Sequence, residues 1–509
     1  MSEQASEGWS FARGLAGFRR GAAVAAMALG ALAAGGRIEA LTDEEIYRHF
    51  QFNLVNPGAR ALGMGGAYIA VADDPTASLA NPAGLNFLHH PQFFFEYRAM
   101  EEDTEGFRSS LGSLEVDPNT GAGDLPFLGL RSDSNVETMS DPSYIAFTWP
   151  TQVGTARRRL TLAGSRHVLL SQERSSGGTE AMFSFDSFPH TVDGDSVEMY
   201  AVRSPVVGSG STEIIYWNAS AAIELHQDFS AGLTLSQATL DLSLDTSTFV
   251  LDPQGVFETD PGHPRLPEQP SQDVYRTFSN GSDSSVTYAV GIHWHPDSIY
   301  ASGVSPWRVG AAFRRGARFS VEESVFLNGV LDGRFDNKIV VPDVFSIGAS
   351  YRFSERLMAA VEVERVEYSD MLDGFRSGVN FLTSGQIAGG VLDMTGDSIE
   401  FTVDDGDIVR AGVEYVLPVG TRQGQRLSLR AGWYRTPDSR IRMTRFDSGD
   451  GTVDRTYMRT FPGDEADSHI TAGVGYDIGK ATFSIAGETS DRTSQIVGSF
   501  GIRLEKEAK

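Results

Sequence analysis

The 509-residue sequence contains no cysteine, which excludes disulfide bonds, Cys-ligated zinc, iron–sulfur clusters and thiol catalysis. It also lacks the G-x-S-x-G and H-E-x-x-H motifs that mark two large hydrolase classes. Basic residues are scarce: 42 Lys and Arg face 67 Asp and Glu, a net charge of −25, so the basic footprint of a nucleic-acid-binding protein is missing. We therefore expect neither an enzyme nor a nucleic-acid-binding protein, and no cofactor or metal.

Long apolar runs are also missing, apart from the Ala/Gly-rich residues 21–36, which follow Arg19 and Arg20. These sixteen residues fall short of the ~20 that a membrane-spanning helix needs. A basic flank, a short apolar run and small residues near position 40 are typical of a secretory signal peptide. We predict a cleaved signal within residues 1–40; an uncleaved anchor is the alternative. An exported chain without another such run is periplasmic, secreted or an outer-membrane β-barrel.

Strict apolar/polar alternation, the signature of a β-strand, recurs from residue 92 to the end of the chain. In DIVRAGVEYVL, for example, Val409, Ala411 and Val413 share one face, and Arg410 and Glu414 share the other. Fourteen segments are predicted to be strands: 92–100, 142–150, 157–171, 212–226, 228–245, 284–296, 306–322, 342–353, 355–369, 407–418, 425–435, 467–478, 480–489 and 494–504.

The connections between these segments alternate between long and short. Six polar spacers, such as 101–141 and 172–211, are long, and brief turns near 151–156, 227 and 354 lie between them. Transmembrane barrels have short periplasmic turns, long external loops and an even strand count. A soluble β-sandwich needs no such rhythm, and no fixed repeat supports a solenoid. The sequence therefore predicts an all-β fold, a 14-stranded antiparallel transmembrane β-barrel.

Residues 58–85 interrupt this pattern with five glycines, at 58, 63, 65, 66 and 84, and with the turn-forming Asn81-Pro82. Glycine is retained where a backbone must turn or approach another chain closely. We expect a compact, glycine-jointed segment rather than a regular helix or strand.

The order of small Gly/Ala residues, then Ala72-Asp73-Asp74, then Asn81-Pro82-Ala83 resembles the amino-terminal plug of FadL-type outer-membrane transporters for long-chain fatty acids and other hydrophobic compounds. The match spans residues 52–97. The same stretch of sequence is also similar, more distantly, to the shuttle barrels of type IX secretion. The resemblance implies a signal peptide over 1–40, a lumenal plug (hatch) over 41–91 and a barrel over 92–509. It implies gated passive uptake of hydrophobic small molecules, with a shuttle or interaction barrel for exported proteins as the alternative.

The resemblance implies that the plug is a gate, although a static stopper is the simpler alternative. The candidate gate residues are Gly63, Gly65, Gly66, Asp73, Asp74, Asn81, Pro82 and Ala83. The two aspartates are expected to fix the plug to lumenal cations or to cap its short helix; a solvated turn is the alternative. Asn81 can bond to its own backbone ahead of the fixed φ of Pro82, which gives a rigid elbow.

Apolar residues on either side of the lumen are candidates for substrate binding. Phe50, Phe52 and Leu54 precede the plug, and Phe183 and Phe185 lie in a long polar loop. An apolar cluster in an exposed loop tends to mark a binding site. The alternative is ordinary packing, of plug on wall for the first group and of loop on loop for the second.

The third strand carries Arg166 in phase with Leu160, Leu162 and Gly164, on the face expected to meet lipid. Arginine there costs ~2–4 kcal/mol at the bilayer midplane. A bulge at Gly164 would turn Arg166 aside. In the family that this chain resembles, the third strand opens a lateral exit, so Gly164 and Arg166 are predicted to mark it. Alternatively, Arg166 lies at an interface and snorkels.

Two other motifs are set aside. His293 and His295 share a strand face but supply two metal ligands where a complete site needs more. The acidic loop 447–454 does not have the EF-hand spacing. The expected partners are outer-membrane lipid, lipopolysaccharide and a hydrophobic ligand, and the expected state is a monomer in the bacterial outer membrane.

Overall fold

A computed structural model describes Phe52 and residues 54–114, 125–155, 157–175, 184–192, 195–250, 273–300, 304–327, 330–373, 399–419, 425–446 and 466–504. The predictions for the signal peptide, Phe50, Phe183 and the acidic loop 447–454 lie outside these residues, as does the side chain of Phe185.

The strands are numbered in chain order. Their bounds are β1 (Gln92–Leu114), β2 (Leu125–Val153), β3 (Arg158–Ser175), β4 (Ser184–Val192), β5 (Asp195–His226), β6 (Phe229–Val250), β7 (Asp273–Trp294), β8 (Trp307–Arg314), β9 (Arg318–Leu327), β10 (Val330–Val340), β11 (Val344–Arg352), β12 (Leu357–Val366), β13 (Ile399–Thr402), β14 (Gly406–Pro418), β15 (Arg426–Thr436), β16 (Arg442–Phe446), β17 (Asp467–Ile478), β18 (Ala481–Thr489) and β19 (Thr493–Arg503).

These strands form a closed antiparallel barrel. The wall has fourteen strands over the described residues, because β8 and β9 together form one of them and β10 and β11 another. The first and last strands close it, with Gln92 opposite Arg503 and Glu102 opposite Thr493. Strand β4 extends a hairpin on β5, and β13 and β16 form a separate two-stranded sheet. The prediction of a 14-stranded antiparallel barrel is confirmed.

The spacers predicted to be loops contain much more strand than expected. The β1–β2 ladder continues to the pair Leu114 and Leu125, and the β6–β7 ladder to Val250 and Asp273, so the described parts of the spacers 101–141 and 246–283 are strand and were wrongly predicted as loops. The sequence signal was lost because these extensions lack apolar alternation, whereas backbone hydrogen bonds alone continue a ladder. We call this side of the barrel the long-loop end and the opposite side the short-turn end.

The wall separates an apolar exterior from an interior that is largely polar at the level of residues 56–88. Large apolar side chains such as Leu235, Val361 and Ile485 are exposed on the outer face, together with Trp149, Trp294, Trp307, Trp433 and Tyr415. Charged residues such as Glu96 and Arg410 are buried on the inner face. No helix among the described residues is long and apolar enough to cross a membrane.

Residues 56–88 fill the middle of the barrel. They form α1 (Ala59–Gly63), α2 (Ala77–Ala80) and a 3-10 helix (Pro82–Phe87), joined by tight turns. Gly58, Gly65 and Gly66 have φ of 105°, 65° and 74°, a region that side chains with a Cβ rarely adopt. We call residues 56–88 the inner segment. Most of its side chains are buried, many in a cluster that includes Met64, Tyr68 and Leu85 and reaches Ala222 and Met358 of the wall.

Candidate functional site

The wall makes room for the inner segment by placing glycines on its inner face. A Cβ built on any of these glycines would come within 2.4 Å of the inner segment. The five are Gly232, Gly291, Gly310, Gly412 and Gly432. A glycine inside a strand often marks the close approach of another backbone. Sequence reasoning missed this set, although its signal was present as glycines at inward positions of five strands.

Asn81 connects the inner segment to this glycine-lined part of the wall. Its Nδ2 donates to the carbonyl oxygens of Ile69 and of Ile292 on β7, both at 3.1 Å, and its Oδ1 accepts from the Ala83 N–H at 3.2 Å. Pro82 starts the 3-10 helix, where its missing N–H costs nothing. The Ser230 hydroxyl donates to the Ala83 carbonyl at 3.0 Å. The predicted elbow is therefore also a contact with the wall.

An alternating chain of charges fixes the other edge of the inner segment. Asp73 accepts from Arg60 and, at 3.0 Å, from Arg308 of β8. Arg60 in turn holds Glu414 of β14 with two hydrogen bonds, 3.0 Å from Nε and 2.8 Å from Nη2, and Arg430 donates to the same carboxylate at 2.8 Å. Bidentate Arg–carboxylate pairs fix orientation as well as charge.

The two neighbouring aspartates have different roles. Burial would raise the pKa of Asp73, but Arg60 and Arg308 outweigh it and hold that pKa well below its usual range. Asp74 accepts from the Thr76 N–H at 2.9 Å, just before α2, and from the Tyr68 hydroxyl at 2.6 Å. Burial raises the pKa of Asp74 despite these bonds. Of the two roles expected from the sequence, the structure places Asp73 on a wall cation and Asp74 at the helix start.

Backbone amides of the inner segment also bind the wall. Glu362 of β12 accepts from the N–H groups of Tyr68 and Ile69 at 2.7 and 2.8 Å. Thr471 of β17 accepts from the Gly65 N–H at 3.0 Å, and Glu96 of β1 accepts from the Gly58 N–H. Glycine conformations at positions 58 and 65 present these N–H groups outward. The segment is thus bonded to the barrel around its circumference.

Toward the long-loop end the interior becomes apolar. One buried cluster joins inward residues of the wall, among them Leu170, Ile214, Leu240, Phe319, Val321 and Ile339. Leu54 belongs to this cluster, and Phe52 packs against it. The structure therefore brings two predicted substrate-binding residues to an apolar lining above the inner segment.

Two cavities lie on opposite sides of the inner segment. The one at the short-turn end has about 450 Å³ and is lined by polar groups that include Arg60, Asp73 and Arg352. The one at the long-loop end has about 130 Å³. It is bordered by Phe52 and Leu54 and by polar residues of β15, β17, β18 and β19. The inner segment therefore separates a polar vestibule from a chamber that is partly apolar.

The bulge predicted at Gly164 is wrong. Gly164 pairs regularly with Phe147 of β2 and Ala219 of β5, and a Cβ added there would meet nothing closer than 3.9 Å. Arg166 donates to the Pro142 carbonyl oxygen at 3.0 Å and lies 3.8 Å from Glu213, so it crosses between strands. The irregularity of β3 lies farther along the chain than Gly164, at Leu169.

That irregularity is at the β2–β3 junction. The ladder between these strands ends at Tyr144 and His167, although β3 continues to Ser175 against β5. The register shifts at Leu169 of β3, and β2 is bulged beside Pro142 where it faces β1. An apolar groove of about 640 Å³ lies beside this break on the outer face, lined by residues that include Phe147, Gly164, Trp217 and Leu235. Sequence reasoning missed Leu169, although the three consecutive apolar residues Val168, Leu169 and Leu170 break the alternation there.

His293 and His295 contact protein groups. His293 Nε2 lies 2.8 Å from the Ala70 carbonyl oxygen, and both imidazoles pack on Phe87. Arg308 lies over the same Phe87 ring, 4.4 Å from its centroid. The pair therefore supports the inner segment from β7 and the residue that follows it.

Comparison with known proteins yields structural likeness and no match in sequence. No family model matches the chain, and no curated protein matches it. A crystal structure of a Pseudomonas aeruginosa FadL homologue is similar with a TM-score of 0.52 and 13% identity, over 88% of this chain and 98% of that one. The toluene transporters TodX of P. putida and TbuX of Ralstonia pickettii follow with TM-scores of 0.49 and 0.48, and identities of 14% and 15%. Each covers 89% of this chain and 100% of its own. The likeness to the FadL homologue shows a common barrel fold.

Proposed function

We propose that this chain is a FadL-type channel of the bacterial outer membrane and mediates gated, passive uptake of hydrophobic small molecules. The apolar outer band supports placement in a membrane, because exposed side chains such as Leu235, Val361 and Ile485 on the outer face are stable in lipid rather than in water. The FadL homologue shares the fold, and the related structures are described as transporters of toluene, itself a hydrophobic compound.

The observation that carries this proposal is the apolar lining toward the long-loop end. Water-filled porins have a polar interior. Here Ile214, Leu240 and Phe319 face inward and are nearly inaccessible to water, and Phe52 and Leu54 pack with them. A lumen of this kind favours an apolar solute over a hydrated one.

The inner segment is proposed to be the gate. It lies between the two cavities, and directional contacts hold it: Asn81 on Ile292, Asp73 on Arg308, and Glu414 on Arg60. Such contacts have discrete alternatives, so a ligand that binds one arrangement better shifts the population toward it. Gly63, Gly65, Gly66, Pro82 and Ala83 belong to the backbone that would move.

The exit is proposed to lie between β2 and β3. Leu169 and Leu170 belong to the apolar interior cluster, and the ladder between the two strands is already broken beside them. The apolar groove around Gly164 continues this path on the outer face, with Arg166 at its border. A solute leaving here enters the membrane without crossing the polar vestibule.

The first experiment is uptake of radiolabelled oleate and of toluene by cells that retain an outer membrane but lack their own hydrophobic-compound transporters. The chain is expressed and verified in the outer membrane, with the empty vector as control. Uptake of either compound above the control supports the proposal, and the pair decides whether long-chain fatty acids are among the substrates. Uptake equal to the control for both overturns it. In that case a folded exported protein that co-purifies with the barrel would favour the alternative, a secretion shuttle.

A further inference from the structure

The cavity at the long-loop end has one apolar and one polar side. Phe52, Leu54 and Ile408 border the first, and residues of β15, β17, β18 and β19 border the second. Its volume of about 130 Å³ suits one ring or the end of a chain rather than a whole lipid. A cavity with convergent polar groups on one wall selects the polar group of its ligand.

Glu488 organises the polar side. Its buried carboxylate accepts from the Tyr434 hydroxyl at 2.5 Å, from Gln495 Nε2 at 2.5 Å and from His469 Nδ1 at 2.8 Å. The imidazole of His469 stacks on the Tyr434 ring, with centroids 4.1 Å apart and planes 2° apart. Both rings are thereby fixed, and the Glu488 oxygens already have three donors.

These hydrogen bonds determine which donors and acceptors remain available to a ligand. Because Nδ1 of His469 faces the carboxylate, its Nε2 faces the Thr436 hydroxyl, 3.3 Å away. Gln495 directs its NH₂ group to Glu488, and its Oε1 has no hydrogen-bond partner among the described residues, although the side chain is buried. A buried acceptor left unpaired costs about 1–3 kcal/mol. The group that removes this cost is a hydrogen-bond donor.

Charge argues against a carboxylate ligand. Three carboxyl groups line the cavity, on Asp438, Asp467 and Glu488, and balance the guanidinium groups of Arg410, Arg440 and Arg492. Arg410 is also paired with Glu364, at 3.2 Å, from outside the lining. An added anion would therefore enter a site with no net positive charge, and it could not donate to Gln495.

We infer that this cavity binds the hydroxyl group of a neutral hydrophobic alcohol or phenol, which donates to Gln495 Oε1 while its apolar body lies against Phe52 and Leu54. The inference rests on the proposed function, because it specifies the substrate class of that lumen. A hydroxyl group suits the site because it supplies the donor that Gln495 Oε1 lacks and adds no charge.

Binding to the purified full-length protein in detergent tests this directly. The probes are 4-propylphenol, propylbenzene and 4-propylbenzoate, measured by titration calorimetry with protein-free micelles subtracted. We expect 4-propylphenol to bind about tenfold more tightly than propylbenzene, because the hydrocarbon leaves the Gln495 oxygen unpaired, and more tightly than the benzoate. Equal affinity for phenol and hydrocarbon, or tighter binding of the benzoate, overturns the inference.

Two variants locate the effect. Gln495→Leu and the more nearly isosteric Gln495→Met should each abolish most of the phenol preference while leaving propylbenzene affinity within about twofold of the wild type. Gln92→Leu makes the same change as the first variant but in the vestibule cavity, and it should keep the preference. Persistence of the preference in both cavity variants overturns the assignment, and Gln495→Met preserves the test if Gln495→Leu fails to fold.

The result is independent of transport. A phenol preference in the purified protein, without uptake by cells, supports the binding site and contradicts the proposed function. Uptake of hydrophobic compounds without a phenol preference supports the function and contradicts the site.

Discussion

Gly412 and Gly432 lie directly opposite each other on β14 and β15, and the backbone at Met64 and Gly65 rests on both. A Cβ at Gly412 would come 2.1 Å from the Met64 carbonyl oxygen, and one at Gly432 would come 2.1 Å from the Gly65 nitrogen. Gly232 and Gly291 form a second such pair, beneath Asn81 and Pro82. The wall and the inner segment therefore pack so closely at these four glycines that neither pair has room for an added methyl group.

Gly432→Ala should displace the inner segment without preventing barrel formation. The added methyl group meets backbone, which cannot rotate away, and overpacking of this kind costs about 1–3 kcal/mol. We expect an increase in single-channel conductance or in entry of a large antibiotic. Gly498→Ala is the matched control, because a Cβ there meets nothing within 4 Å. Equal permeability of the two variants would show that the glycine at position 432 is not needed to make room for the inner segment.

Asn81→Ala should loosen the elbow. The change removes two donated hydrogen bonds and leaves the carbonyl oxygens of Ile69 and Ile292 without this donor, at about 1–3 kcal/mol for each buried group left unpaired. Hydrogen exchange of the peptide covering residues 67–88 should accelerate at least tenfold, while peptides from β14 and β17 stay unchanged. Asn81→Asp keeps the acceptor for Ala83 and loses the donors, so it should resemble the alanine variant. Unchanged exchange in both would show that Asn81 does not hold the segment.

Acidification should leave the hydrogen bonds of Asp73 to Arg60 and Arg308 intact over most of the accessible pH range. The pKa of Asp73 in the folded protein is below its ordinary value of about 3.9, so its stabilising effect is complete above that value and is lost only as the pH falls through the lower one. Exchange of residues 59–74, corrected for intrinsic rates, should match at pH 7 and pH 5. Asp73→Asn should accelerate it at both. Release of the segment by pH 5 in the wild type would show that another group controls it.

The barrel could be predicted from the sequence because alternation is a local property. β14 covers Gly406–Pro418 where a strand at 407–418 was expected, and Arg410 and Glu414 are buried on the inner face as their phase indicated. Two of the short turns, at Gly154 and Gly479, are marked by glycines with positive φ.

The site resisted prediction because its contacts join distant parts of the chain. Asn81 meets Ile292 across 211 positions, and Arg60 meets Glu414 across 354. The phase of a strand tells which residues point inward, but the stagger of the barrel decides which of them lie at the same height. His469, Glu488 and Gln495 each look like an isolated polar residue in the sequence, and only the register of β15, β17, β18 and β19 brings them together.

Gly164→Trp tests the exit. The position of its Cβ is open, so the indole fills the outer groove between Phe147 and Trp217 without forcing the backbone. We expect the barrel to fold as judged by its heat-modifiable mobility, and uptake of hydrophobic compounds to fall at least fivefold, because the solute can no longer pass from Leu169 to the membrane. Gly498→Trp makes the same change on β19, at another position with open space for a Cβ, and should leave uptake unchanged. If both tryptophan variants transport at the wild-type rate, the solute does not leave through this groove. The vestibule lined by Arg60 and Arg352 would then be the route to block next.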